Sequence, residues 1–127
     1  MRLADLPEAW NAKMQDYLGV TPPDDRLGVL QDVHWAAGLI GYFPTYALGT
    51  IISVQLFEAA VAAAPGIPAD MERGDFSGLL GWLQQNVYRH GKKYVPMELL
   101  KRATGETLNA GPYVKYLKRK FGEIYGL

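Results

Sequence analysis

The chain has 127 residues, 49% of them apolar and 12% aromatic, and its 13 basic residues balance its 13 acidic ones. This length and composition allow one packed core and exclude an intrinsically disordered chain. The absence of cysteine excludes disulfides, a thiol nucleophile and cysteine-bound zinc, and it predicts a cytoplasmic protein.

The first third of the chain predicts one helix and then an irregular segment. Apolar residues recur at helical spacing after Pro7, so residues 6–18 predict an amphipathic helix that ends at Gly19. Residues 21–25 contain two prolines and two aspartates and predict a rigid turn. Residues 26–43 mix glycine with aromatic residues and give no regular period.

The longest apolar segment runs from residue 47 to residue 64 without Lys, Arg or Asp. It predicts a helix that begins near Pro44 and ends before a loop at residues 65–68. A membrane span needs about 20 predominantly apolar residues, and this segment carries Glu58 near its middle, so we expect no membrane partner. A helix that is apolar on nearly every side must be covered by protein. The cover comes either from the rest of this chain or from residues outside it.

Three more helices follow in the second half. Asp75 predicts the start of a helix that ends at Gly91, Pro96 opens a short helix that closes at Gly105, and Pro112 opens the last one. The last helix has an apolar stripe that we expect to be buried, made of Val114, Leu117, Phe121 and Ile124. No segment predicts a strand. The sequence therefore predicts an all-α protein with a single helical region over residues 1–127.

The charges are divided along the chain although they sum to zero. Residues 1–75 contain ten acidic and four basic residues, whereas residues 76–127 contain nine basic and three acidic ones. Either the two halves attract each other or each half faces something else. The cations at 115–120 belong to no recognisable nucleic-acid-binding module, so we expect no nucleic-acid partner.

The two histidines differ in their surroundings. His90 falls in the last turn of a predicted helix, where the helix dipole favours it. His34 lies in the irregular segment with Asp32 and Trp35, among glycines and tyrosines that are typical of a functional site. Two interpretations stay open for His34: a functional residue, or a buried histidine that is paired with Asp32 beneath Trp35.

Common catalytic motifs are absent from the sequence. It contains no His-Glu-x-x-His pattern and no Gly-x-Ser-x-Gly pattern. The sequence therefore predicts no metal site and no serine triad within this chain.

Two motifs carry a family resemblance. Gly-x-x-Gln-Asp-x-His-Trp at residues 28–35 and Gly-Tyr-Phe-Pro-Thr-Tyr at residues 41–46 resemble motifs of the Taq-type thermostable metallocarboxypeptidases. Residues 5–11 also resemble the segment that precedes these motifs in that family. The later part of the chain is similar to the family's C-terminal region at residues 90–94, 103–106 and 116–118.

The resemblance implies that this chain is the C-terminal portion of a larger, helical, bundle-like zincin-type peptidase. Family members are several times longer, and their zinc ligands and general-base Glu precede the part that matches. The resemblance thus implies zinc or another divalent metal in the complete enzyme and none in this chain, so it does not imply activity of the isolated chain. Whether this chain is an enzyme by itself stays open. The alternative function is a non-enzymatic all-α binding module that keeps the family fold.

The resemblance also implies roles for residues of the two motifs. His34 and Tyr46 are the expected catalytic residues, which donate hydrogen bonds to the oxyanion that forms during peptide hydrolysis, and the choice between Tyr46 and Tyr42 as donor is open. The expected substrate-binding residues are Gln31, Asp32, Trp35 and Tyr42. Expected partners are a peptide substrate, a second copy of the chain in a homodimer, and a missing N-terminal portion.

Overall fold

The computed structural model describes residues 1–126, and this part of the chain is helical without any strand. The α-helices are α1 (Leu6–Leu18), α2 (Pro44–Ala63), α3 (Ile67–Glu72), α4 (Ser77–Asn86), α5 (Pro96–Thr104) and α6 (Gly111–Tyr125). Short 3₁₀ turns span Leu3–Asp5, Val29–Gln31, Trp35–Ala37 and Tyr88–His90. The predicted all-α class is confirmed.

Proline and glycine mark most helix ends, as predicted. Proline occupies the first turn of α1, α3, α5 and α6, where its missing N–H costs no hydrogen bond. Gly19 and Gly105 end α1 and α5 with φ values of 67° and 81°, a left-handed conformation that glycine adopts without strain.

Two helix predictions were wrong in detail. The helix that follows Asp75 ends at Asn86 rather than continuing to Gly91, because Val87 leaves the helical region with φ −123° and ψ −64°. His90 therefore lies in a 3₁₀ turn. The segment predicted as a loop at residues 65–68 also contains the start of α3, with Pro68 in its first turn.

Asp75 lies one position before Phe76, the N-cap residue of α4, so the predicted capping position was off by one residue, although the Asp75 side chain still bonds the start of the helix. Its Oδ1 accepts a hydrogen bond of 2.9 Å from the backbone N–H of Ser77 at the start of α4. Hydrogen bonds from Ser77 lower the pKa of the Asp75 carboxyl, since they stabilise its charged form.

The chain divides into two compact units, and the division falls inside α2. The first unit is Met1–Thr45. Its buried residues include Val29, which is 3% exposed, and Gly28. A Cβ added at Gly28 would lie 3.2 Å from the Asp24 carbonyl oxygen and 3.2 Å from Pro22 Cβ. The backbone around residue 28 is therefore closely packed.

The second unit begins at Tyr46. Its buried apolar side chains are Ala60, Ile67 and Leu100. Gln55 of α2 is the buried polar residue, and its amide is bonded to the loop between α5 and α6. This amide ties α2 to a segment more than 50 residues away in sequence.

Two apolar helix faces remain largely exposed in the described chain: α2, whose covering protein the sequence left open, and the stripe on α6, whose predicted burial was wrong. Only 11% of an 18-residue window of α2 is buried, although the helix is apolar on nearly every side. Of the predicted stripe on α6, Val114, Phe121 and Ile124 are exposed. The hydrophobic pattern predicted both helices correctly, but residues 1–126 do not pack over their apolar faces.

By length and composition alone, α2 could cross a membrane, with a mean hydropathy of 1.5 over its window. A single helix of this kind is weak evidence, because core helices of soluble proteins pass the same test.

Candidate functional site

Asp32 and His34 form a bonded pair at the centre of the first predicted motif. The Asp32 carboxylate accepts a hydrogen bond from His34 Nδ1 at 2.8 Å and another from the His34 backbone N–H at 3.2 Å. The two side chains are only 10% and 17% exposed, respectively. A carboxylate can only accept, so the proton of this bond belongs to Nδ1. Asp32 thereby fixes both the orientation and the tautomer of the imidazole.

Two aromatic rings from the second motif lie against this imidazole. The centroid of the Tyr42 ring is 5.1 Å from that of His34 with a tilted geometry, and the Phe43 ring meets it edge-on at 5.4 Å. The chain returns from His34 to Tyr42 through Gly38 and Gly41, both with positive φ. A Cβ at either position would strain the turn, so these glycines help to bring the two motifs together.

The other predicted site residues are placed less centrally. The Gln31 amide donates to the Arg26 carbonyl oxygen, and Gln31 is exposed. Trp35 is half-buried at the start of a 3₁₀ turn. Tyr46 is the third residue of α2, is 56% exposed and belongs to the second unit.

The structure therefore joins Asp32, His34 and Tyr42 into one cluster. Phe43 also belongs to this cluster, and sequence reasoning missed it. The available signal was its place directly after Tyr42 in the second motif. The roles predicted for these residues stay predictions.

His90 has different surroundings. Its ring packs edge-on against Tyr94 at 5.3 Å between centroids, and the Arg102 guanidinium lies 4.2 Å from the centroid of the same tyrosine. Arg102 also bonds the Glu98 carboxylate at 2.9 and 3.0 Å, and this bond raises the pKa of the guanidinium. The contact with Tyr94 gives His90 a packing role.

The described residues do not fit a catalytic metal centre. No group of three or more His, Cys, Asp or Glu side chains within residues 1–126 could hold a metal ion. Catalytic zinc sites generally use three protein ligands, whereas the cluster offers only Asp32 and His34.

Comparison with known proteins identifies the surrounding fold. The family model described as "Carboxypeptidase Taq (M32) metallopeptidase" matches residues 1–121. The chain belongs to this family. The resemblance carried by the two motifs is thereby confirmed, and both motifs lie inside the matched region.

Relatives and solved structures agree with this assignment. The chain is 47% identical to "Carboxypeptidase 1" of Bacillus subtilis over 121 residues, and 44% identical to "Thermostable carboxypeptidase 1" of Thermus thermophilus over 122 residues. These matches cover 95% and 96% of this chain. The crystal structure of an M32 carboxypeptidase from Deinococcus radiodurans matches all of this chain with a TM-score of 0.91 and 52% identity.

The chain spans about a quarter of the length of these relatives. It covers 24% of the Bacillus protein, 24% of the Thermus protein and 26% of the Deinococcus chain. The remaining three quarters of each relative have no counterpart in residues 1–127.

Proposed function

We propose that this chain supplies oxyanion-stabilising and substrate-binding residues to a metal-dependent carboxypeptidase that removes C-terminal residues from peptides. The observation that carries the proposal is the Asp32–His34 bond of 2.8 Å, within the region that the metallopeptidase family model matches. The metal ligands of that enzyme belong to a portion outside this chain, and the isolated chain is inactive.

The chemistry follows from the geometry of the imidazole. When the scissile carbonyl is attacked, negative charge develops on its oxygen and positioned N–H or O–H donors stabilise it. Because His34 Nδ1 donates to Asp32, donation to the oxyanion comes from Nε2, which carries a proton in the imidazolium form. Asp32 is thus a positioning residue and His34 the catalytic donor.

A phenol supplies the second donor. Tyr46, at the start of α2, is the proposed one, and its exposed side chain is accessible to a substrate. Tyr42, whose ring lies against His34, contacts the peptide together with Trp35 and the Gln31 amide. Aromatic rings of this kind bury apolar substrate surface and still offer a polar tip.

A chimera tests the proposal. In this chimera the matching quarter of the Deinococcus carboxypeptidase is replaced by the whole 127-residue chain, which is 52% identical to it. We expect release of C-terminal residues from peptides, inhibited by a chelator. His34→Ala and Tyr46→Phe should each lower kcat about 10²- to 10³-fold, the usual loss for one oxyanion donor.

Two matched controls accompany these variants. His90→Ala removes the other histidine, which packs against Tyr94, and Tyr125→Phe removes an exposed hydroxyl on the last helix. Both should leave kcat within a few fold of the parent chimera. If His34→Ala and Tyr46→Phe behave like these controls, the assigned roles are wrong. If Tyr42→Phe alone shows the loss, Tyr42 is the phenol donor.

A further inference from the structure

An open groove in the second unit lies between α2, the start of α3 and α6. Its volume is about 720 Å³. Phe57 and Val61 of α2 and Pro68 of α3 form its apolar wall, while Lys115 and Arg119 of α6 form a basic rim with Glu58 on the α2 side. We call it the α2–α6 groove.

The groove exposes surface that a folded protein normally covers. Phe57 is 37% exposed, and the exposure continues along α2, of which only 11% is buried over 18 residues. A continuous apolar surface of this kind marks an interaction site. Because it extends along a helix, its occupant is a length of polypeptide rather than a compact small molecule.

The basic rim gives the occupant a second property. Within residues 1–126, neither Lys115 nor Arg119 forms an ion pair with an acidic side chain. Glu58 lines the same groove without reaching either cation. An occupant with a carboxylate above the rim would therefore complement the groove in charge as well as in hydrophobicity.

The length of the relatives indicates where such an occupant comes from. The Deinococcus structure shares the fold of this chain with a TM-score of 0.91, yet three quarters of it have no counterpart here. We propose that the α2–α6 groove is the docking surface for the metal-bearing portion of a carboxypeptidase of this family. The docked segment places apolar side chains over Phe57 and Val61 and a carboxylate near Lys115 and Arg119. This inference rests on the proposed function, since it names the surface that joins the two portions.

Cysteine labelling tests the groove directly, because the chain has no cysteine of its own. Ala62→Cys places a small thiol in the groove, and Gln85→Cys places one on the exposed surface of α4. Each variant is labelled with a maleimide, both as the isolated chain and within the chimera. Mass spectrometry of the peptide that carries the new cysteine gives the rate.

We expect the labelling rate at residue 62 to fall about tenfold or more in the chimera relative to the isolated chain, as covered sites react only through local opening. The rate at residue 85 should stay within about twofold. Equal rates at residue 62 in both contexts, or equal protection at both positions, would overturn the proposal. Protection in the isolated chain that grows with its concentration would make a second copy the occupant, which also overturns it.

Charge reversal provides a measurement inside the chimera alone, so the result does not depend on the isolated chain being folded. Arg119→Glu should raise the labelling rate at residue 62 several-fold, because it repels the proposed carboxylate. Lys118→Glu, one residue earlier on α6 and outside the α2–α6 groove, is the matched control and should leave the rate unchanged. If both charge reversals change the labelling rate at residue 62 equally, the proposed carboxylate contact with the basic rim is overturned.

Activity separates this inference from the proposed function. An active chimera in which residue 62 reacts at the rate seen in the isolated chain would refute docking at the α2–α6 groove and leave the proposed function standing. A folded but inactive chimera in which residue 62 is protected would support the groove and refute the function.

Discussion

Replacing Gln55 by glutamate should make the stability of the second unit depend strongly on pH. The Gln55 side chain is 4% exposed, donates from Nε2 to the Thr107 carbonyl oxygen at 3.1 Å, and accepts from the Asn109 backbone N–H at 3.0 Å. A glutamate has the same shape. When ionised it can still accept from Asn109, but it cannot donate to Thr107.

The expected loss follows from these two contacts. Leaving a buried hydrogen-bonding group without its partner costs about 1–3 kcal/mol, and each unit by which burial raises the pKa of the new carboxyl costs about 1.4 kcal/mol. Because Thr107 and Asn109 are themselves exposed, water offsets part of the loss. We therefore expect Gln55→Glu to lower the free energy of unfolding by about 2–4 kcal/mol at neutral pH.

The sign of the pH dependence is opposite to that of an ion-paired acid. A protonated glutamate both donates and accepts, so the folded state should bind its proton more tightly than the unfolded state, in which the pKa is about 4.3. The stability of the variant should then approach that of the parent chain below this value and be lost as the pH rises through the higher folded-state value.

Urea unfolding of the 127-residue chain, followed by circular dichroism at several pH values, measures this difference. Gln84→Glu on the exposed surface of α4 is the matched control and should change stability little at any pH. If Gln55→Glu is as stable as the parent chain at neutral pH, or follows the control across the pH range, the bonds of the Gln55 amide do not hold α2 in place.

The remaining predictions concern the motif, the start of α4 and the metal. Gly28→Ala should lower the free energy of unfolding in urea by about 1–3 kcal/mol, since the new Cβ would lie 3.2 Å from the Asp24 carbonyl oxygen and 3.2 Å from Pro22 Cβ. At Gly49 an added Cβ would meet nothing within 4 Å, so Gly49→Ala should instead stabilise helix α2 by about 0.5–1 kcal/mol. If both glycine substitutions changed the free energy of unfolding equally, the close packing around residue 28 would be contradicted. Asp32→Asn in the chimera should lower kcat about 10- to 100-fold through loss of the orienting carboxylate, and an unchanged kcat would remove its positioning role. Stability that Asp75 adds at neutral pH, measured against Asp75→Asn, should disappear as the pH falls through the pKa of its carboxyl, which the Ser77 bonds hold below 3.8. A constant difference down to about pH 2 would show that the bond to Ser77 adds no stability. The purified chain should bind less than stoichiometric zinc by elemental analysis, and a full equivalent would show that its residues form a metal site.

The features that could be predicted from the sequence are those set by neighbouring residues. The bond between Asp32 and His34 spans two positions, and the ends of α1 and α5 depend on single glycines. Such features need only local backbone geometry, which residue type largely determines. The contact of Tyr42 with His34 is less local, because it requires the positive φ values of two intervening glycines. The sequence grouped these residues but could not specify the distance between the rings.

Burial was the feature that the sequence could not predict. The pattern of α2 correctly indicated a helix that needs protein on most sides, but hydrophobicity does not specify which polypeptide provides the cover. The same holds for the stripe on α6, where Phe121 and Ile124 have the expected spacing and yet are exposed. Both segments form the helix that their local sequence favours, but within residues 1–126 nothing packs against most of their apolar surface.

The division of charge can be interpreted in the same way. Within residues 1–126, every ion pair of a lysine or arginine joins residues at most four positions apart, so no such pair connects the acidic residues 1–75 with the basic residues 76–127. Of the two hypotheses for the zero net charge, attraction between the halves therefore gains no support from direct ion pairs. The cations at the rim of the α2–α6 groove remain available to an acidic partner surface. Docking through that rim should consequently weaken as salt screens the charges, whereas the contribution of the apolar wall at Phe57 and Val61 should not weaken and, with strongly excluded salts such as sulfate, should grow.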